Sequence, residues 1–207
     1  MFINHFDMQS LDVILAEAHV KNFPAPTEAT HGAMGDPMFG SFAIPDGGPQ
    51  AQAFREAYVH ALRDADRPLS IVEAHTDTSP VIVDLDMRQA APERIYTQKH
   101  IEKFMDALLS ATKYFVDQQH MDVVILEKPN PRRDKKHVGM YKDGLHVVMP
   151  NVITHPEIQL AIRDHFVNDA TENMAYGSTV CIPGLSEMDP GKIYDESVIK
   201  RGGRWFL

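Results

Sequence analysis

Residues 79–88 read SPVIVDLDMR, and this run constrains the fold more than any other. Val81, Ile82 and Val83 are all β-branched, which favours extended backbone. Side chains on a strand alternate between faces, so Asp84 and Asp86 emerge on one side and Val81, Val83 and Leu85 on the other. The apolar side predicts burial. The polar side predicts two carboxylates converging above a buried strand, although taken alone the pair also fits solvated residues at a strand end.

The rest of the chain mixes the two periodicities. Helices are predicted over 10–20, where Leu11, Ile14, Leu15 and Ala18 have helical spacing, and over 50–64. The strongest runs over Gln98–Phe115, with Ile101, Phe104, Met105, Leu108 and Leu109 in one stripe. Pro156 opens another. Strands are predicted in GSFAIP (40–45), LSIVEAH (69–75), DVVILEK (122–128) and LHVVMPNV (145–152). The closing stretch DESVIKRGGRWFL reads as a hairpin turning on Gly202 and Gly203. This order is not a regular βαβ series, so the fold class is α+β, expected as a single domain over 1–207. The chain stops on Trp205, Phe206 and Leu207 without a polar tail, which reads as a cut through a longer polypeptide.

Composition narrows the function classes. With 43% hydrophobic and 24% charged residues, the 207-residue chain has room for a real core. No apolar run reaches the length of a membrane span, and the N-terminus lacks a signal-peptide pattern. Cys181 is the single cysteine and forms no internal disulfide, so an intracellular, non-secreted setting is expected. A net charge of −9 argues against a generic electrostatic nucleic-acid binder. Contact with DNA then needs local cations, present in KPNPRRDKKH (128–137) and IKRGGR (199–204). Arg132, Arg133, Lys135 and Lys136 read either as a solvated loop or as a template-binding cluster.

Two later segments join the aspartate pair. In KDGLHVVMP, His146 and Val148 share one strand face, and IYDESV places Asp195 at the start of the final hairpin. VDLD, then GLH (Gly144, His146), then YD (Asp195) follow the order of the archaeo-eukaryotic primase superfamily, which the chain resembles. The nearest likeness is to the primase domains of primase–helicases from nucleocytoplasmic large DNA viruses and related mobile elements. Its segments TH…GSFAIPD, YKDGLHVVMP and IYDESVIKRGGRW extend the likeness over residues 30–207.

The resemblance implies a primase-type catalytic core, a central mixed or antiparallel RRM-like sheet flanked by helices. It implies a nucleotidyltransferase in DNA replication, a primase or primase-polymerase that uses NTPs or dNTPs on a single-stranded DNA template. Asp84, Asp86 and Asp195 are its expected catalytic residues and the ligands of a two-metal Mg²⁺ or Mn²⁺ site. Hard ions of this kind prefer carboxylate oxygens. His146, Lys142, Gly144, Arg201 and Arg204 are the expected nucleotide-binding set, since cationic side chains suit phosphate oxygens. Many members carry a zinc knuckle; one cysteine and the scattered His137, His146, His155 and His165 offer no such spacing, so no zinc is expected. A downstream helicase module and replisome partners are expected, without membrane association, in the host cytoplasm or nucleus if the source is viral.

Two other readings stay open. A metal-dependent phosphodiesterase or nuclease could use the same carboxylates, although no dedicated water-activating base is evident. A catalytically silent nucleic-acid-binding domain is the other, against which stands the instability of clustered like charges without a metal.

Overall fold

Burial along Ser79–Gln89 follows the predicted alternation. Val81, Val83, Leu85, Met87 and Gln89 are buried, while Asp84, Asp86 and Arg88 are half-buried on the other face. This is β4 of a computed structural model that describes residues 10–20, 29–33, 39–63, 69–75, 77–173, 182–185, 189–200 and 204–206. Before it come α1 (Leu11–Ala18), β1 (His31–Ala33), β2 (Gly40–Phe42), α2 (Gly48–Leu62) and β3 (Ile71–Ala74). After it come α3 (Gln98–Phe115), β5 (Val124–Glu127), β6 (Arg132–Arg133), β7 (Tyr141–Thr154), α4 (Pro156–Asn173), α5 (Pro190–Ile193) and β8 (Arg204–Phe206). The helices and antiparallel sheets are those of an α+β fold compatible with a primase-type core.

The chain divides into two compact units, Met1–Thr76 with Arg201–Leu207, and Asp77–Lys200. In the first, an antiparallel sheet runs β2-β1-β3-β8. Leu11, Ile14 and Leu15 of α1 and Phe54 and Ala57 of α2 share its core with Phe42, Ile44 and Ile71. Thr30 ties this unit together. Its hydroxyl donates to the Ile44 carbonyl at 2.8 Å, accepts from the Ile44 amide at 2.8 Å, and lies 2.9 Å from Nδ1 of His31. Burial lowers the pKa of His31 to about 4, against an opposing pull from Asp46.

In the second unit the sheet order is β4-β7-β5, with β6 also paired to β7. Val81, Val83 and Leu85 face Met149, Val147 and Leu145 across the β4–β7 ladder, forming the apolar side. Helix α3 lies over that side, where the Thr112 hydroxyl approaches the Met149 sulfur at 4.0 Å. Its N-terminus closes with a capping box in which Thr97 and His100 exchange hydrogen bonds. The ladder slips between Pro80 and Val81, and buried Gln159 of α4 fills the irregularity. It accepts from the Ile82 amide at 3.3 Å and donates to the Pro80 carbonyl at 3.0 Å. A buried polar group is satisfied there because the ladder cannot satisfy the backbone itself.

The end of the chain differs from the hairpin expected of it. Glu196–Val198 is a 3₁₀ turn, because the Asp195 side chain accepts from the Ser197 amide at 2.8 Å and so caps a turn instead of extending a strand. The partner of β8 is β3, in the first unit's sheet. Gly202 and Gly203 lie outside the described residues.

Candidate active site

Antiparallel register brings the first elements together. Asp84 is the direct cross-strand partner of His146, and Asp86 of Gly144. Directly opposite residues of an antiparallel pair project to the same face. Nε2 of His146 lies 3.3 Å from Oδ1 of Asp84. Both therefore face one side of the sheet, opposite the side that α3 covers.

Asp195, 109 residues after Asp86, arrives by a different device. Its amide donates to the Asp84 carbonyl at 2.9 Å, and Tyr194 bridges to Leu85 along the free side of β4. Tyr194 is fully buried, and Arg163 of α4 donates to the carbonyls of Tyr194 at 3.0 Å and Gly191 at 2.6 Å. One side chain thus pins the segment against β4. The carboxylates of Asp84, Asp86 and Asp195 each offer an oxygen, and these three oxygens lie within 4.8 Å of one another. Asp195 serves both as turn cap and as third member of this cluster.

The two β4 aspartates have opposite surroundings. Oδ1 of Asp84 is shielded from solvent and receives no hydrogen bond from the described residues, with the His146 ring nitrogen nearby. Asp86 is held by two ammonium groups, Lys128 Nζ at 2.6 Å on Oδ1 and Lys142 Nζ at 2.9 Å on Oδ2. Burial pushes the Asp86 pKa up, but the hydrogen bonds and charges of Lys128 and Lys142 outweigh it and hold the carboxyl below its ordinary value. Asp86 is accordingly ionised at neutral pH. A buried carboxylate oxygen that receives no hydrogen bond from the described residues, together with two further carboxylates, makes a ligand set suited to a hard divalent cation. The residues fit such an ion.

Gly144 is required by close approach. Its φ is +154°, and a Cβ there would stand 1.8 Å from the Leu85 carbonyl oxygen. Before it, fully buried Asp143 accepts from Arg94 Nε at 2.9 Å and Nη2 at 3.1 Å, and from the Gly144 amide at 2.9 Å. Arg94 also reaches Glu127 at 3.1 Å and donates to the Lys128 carbonyl. The Arg94–Asp143 pair therefore fixes the backbone on both sides of the Asp86 clamp. Neither Arg94, Asp143 nor Lys128 is among the residues expected at the site, although Asp143 lies within KDGLHVVMP and Lys128 opens KPNPRRDKKH. PERIY carries no pattern that marks Arg94.

The basic loop is ordered at its base. Asp134, whose side chain is 2% exposed, binds Arg88 Nε at 3.0 Å and His137 Nδ1 at 2.9 Å and accepts from the Lys136 amide at 2.8 Å. The Lys136 amide, followed by His137 and Arg88, depresses the Asp134 pKa strongly. Arg132 pairs in register with Lys142, and Lys142 with Arg88, which puts these three cations on the face that carries the carboxylates. Arg132, Arg133, Lys135 and Lys136 are exposed. Of the remaining expected residues, Arg204 lies on β8, paired with Ala74 in the first unit, and Arg201 lies outside the described residues.

Residues 30–207 match the family model described as the C962R protein N-terminal AEP domain, AEP standing for archaeo-eukaryotic primase. The chain is also 29% identical over 180 residues to a helicase-named protein, L207/L206, of Acanthamoeba polyphaga mimivirus. That alignment covers 86% of this chain and 18% of the mimivirus protein. No helix among the described residues is long and apolar enough to cross a membrane.

Proposed function

The chain belongs to the archaeo-eukaryotic primase family, as a C962R-type N-terminal domain, and from that premise we propose that it is a DNA primase or primase-polymerase catalytic domain. It would transfer nucleotides from NTPs or dNTPs to a primer 3′-hydroxyl on single-stranded DNA. The observation that carries the reading is the meeting of Asp84, Asp86 and Asp195, their oxygens within 4.8 Å, around a buried Asp84 oxygen without a hydrogen-bond donor among the described residues.

In this reading Asp84 and Asp86 hold Mg²⁺ or Mn²⁺, and Asp195 completes the site beside the 3′-hydroxyl. A pair of divalent ions, when bound, stabilises the attacking and leaving oxygens of the transfer. His146, in register with Asp84, contacts the triphosphate, and Lys142 offsets its charge. Gly144 lets β7 come close enough to β4 for His146 and the carboxylates to share one surface. Arg201 and Arg204 are further phosphate ligands in this proposal. The exposed cations of the Asp134-anchored loop take the template backbone. A helicase module and replisome partners elsewhere in the replication system complete the proposal, supported by the helicase name of the mimivirus relative.

The deciding experiment is primer synthesis with labelled NTPs and dNTPs on a single-stranded template, with Mg²⁺ or Mn²⁺ supplied. Template-dependent extension that needs the metal is the expected result. Degradation of the template without extension would replace the polymerase reading with the nuclease one.

A further inference from the structure

Lys128 is not among the residues expected at the site, although it opens the basic segment KPNPRRDKKH, yet it makes one of the shortest polar contacts there. Its ammonium lies 2.6 Å from Oδ1 of Asp86, while Lys142 occupies Oδ2 at 2.9 Å. Each oxygen of Asp86 is therefore already taken by a cation of the chain itself. Asp84, two residues earlier on the same face, has the opposite condition, with a buried oxygen that receives no hydrogen bond from the described residues. A divalent ion bridging Asp84 and Asp86 has to displace an ammonium, since two cations in contact with one carboxylate oxygen repel each other strongly in a partly desolvated site.

The surroundings of Lys128 suit a side chain that moves on a fixed backbone. Its amide donates to the Gly144 carbonyl at 3.2 Å, and its own carbonyl accepts from Arg94, which Asp143 holds in turn. It stands just past the end of β5, an edge strand whose four residues are all exposed, and its own side chain is 30% exposed. A lysine ammonium is a compact charge on a flexible stem and can swing a few ångströms without disturbing the backbone. Once displaced, it remains on the face where a triphosphate bound through His146 would lie.

We propose that Lys128 is a resident counter-ion of Asp86 that competes with the divalent ion and moves onto the nucleotide's phosphates when metal and nucleotide bind together. The inference rests on the nucleotidyl-transfer reading of the site. The exchange makes metal and nucleotide binding mutually reinforcing, and it keeps Asp86 neutralised while the site waits for substrate. Reciprocity requires nucleotide to tighten metal binding by the same factor as metal tightens nucleotide binding.

The test is Mn²⁺ binding to the whole chain, followed by electron paramagnetic resonance of the free ion, with and without a non-hydrolysable nucleoside triphosphate. The wild-type chain should bind Mn²⁺ weakly alone and at least about fivefold more tightly with the triphosphate. Lys128→Met should bind Mn²⁺ alone about fivefold more tightly than wild type and lose most of the gain from the triphosphate. Lys128→Gln should behave likewise, and Lys128→Arg should restore wild-type behaviour. A residue that merely supports the site would lose affinity in both conditions, so weaker or unchanged Mn²⁺ binding by both neutral variants overturns the proposal. Failure of the wild-type chain to bind Mn²⁺ in either condition would overturn the metal-site reading as well. Cooperative wild-type binding that the neutral variants leave intact would overturn only the role of Lys128.

Discussion

Asp84 and His146 are direct partners across the β4–β7 ladder, and the His146 Nε2 atom lies 3.3 Å from the Asp84 Oδ1 that receives no hydrogen bond from the described residues. Burying an ionised oxygen without a hydrogen bond from the described residues costs stability in the metal-free protein. Replacing Asp84 by Asn should therefore raise the stability of the metal-free chain by about 1 kcal/mol, because a neutral amide oxygen costs less to bury without a donor than an ionised carboxylate oxygen. The same variant should lose nucleotidyl transfer. Chemical denaturation without metal and primer extension with it check the two halves, and loss of both stability and activity would contradict the account.

Removing Asp84 and Asp86 together by alanine should abolish transfer while leaving the fold intact. Both side chains lie on the half-buried face and contribute nothing to the Val81–Val83–Leu85 core. A far-ultraviolet circular dichroism spectrum matching wild type, beside an inactive extension assay, is the expected pair of results. Normal extension by the double variant would remove the active-site assignment.

Gly144→Ala should destabilise the protein by about 3 kcal/mol through backbone strain and overpacking. The new methyl would collide with the Leu85 carbonyl, and neither strand can yield without opening the ladder between Asp86 and its neighbours. Urea unfolding measures this directly; a near-neutral result would mean that β7 tolerates a shift the register does not suggest.

The exposed loop cations should set the salt dependence of DNA binding. Neutralising Arg132, Arg133, Lys135 and Lys136 should flatten the slope of log affinity against log salt by about 0.7 for each single-strand phosphate that they neutralise in the wild-type complex. Fluorescence anisotropy with a labelled oligonucleotide at several salt concentrations resolves this. An unchanged slope would place the template path elsewhere.

Acid should weaken the first unit through His31. Burial lowers its pKa to about 4, so the unfolded chain binds a proton between about pH 6.5 and pH 4 that the folded chain does not. Stability then falls as pH drops through that window and levels off below it. His31→Gln should make the dependence shallower, as read from denaturation midpoints at pH 7 and pH 5. An equally steep dependence in that variant would assign the acid sensitivity to another group.

The sequence by itself determined the local features, because they depend on neighbours along the chain. The β-branched run with its two aspartates, the stripe of α3 and the alternation around His146 each carry a period of their own, and the structure realises all three. Asp195 is legible only through its place after VDLD and GLH in the order of the resembled family, and the hairpin expected to start there is a capped 3₁₀ turn. The edge strand β5 shows where this stops: its apolar residues predict a strand correctly, but Val124, Ile125 and Leu126 are all exposed. Exposure depends on what lies alongside, and no residue of the strand encodes that. Only the tertiary structure decided that β8 would pair with β3, that Arg94 would hold its charge against buried Asp143, and that Lys128 would reach Asp86 from 42 residues away. Those pairings join segments with no shared period. The two ion pairs are fixed by the β4–β7–β5 register and by the requirement that buried charges find partners, which acts only once the chain has closed on itself.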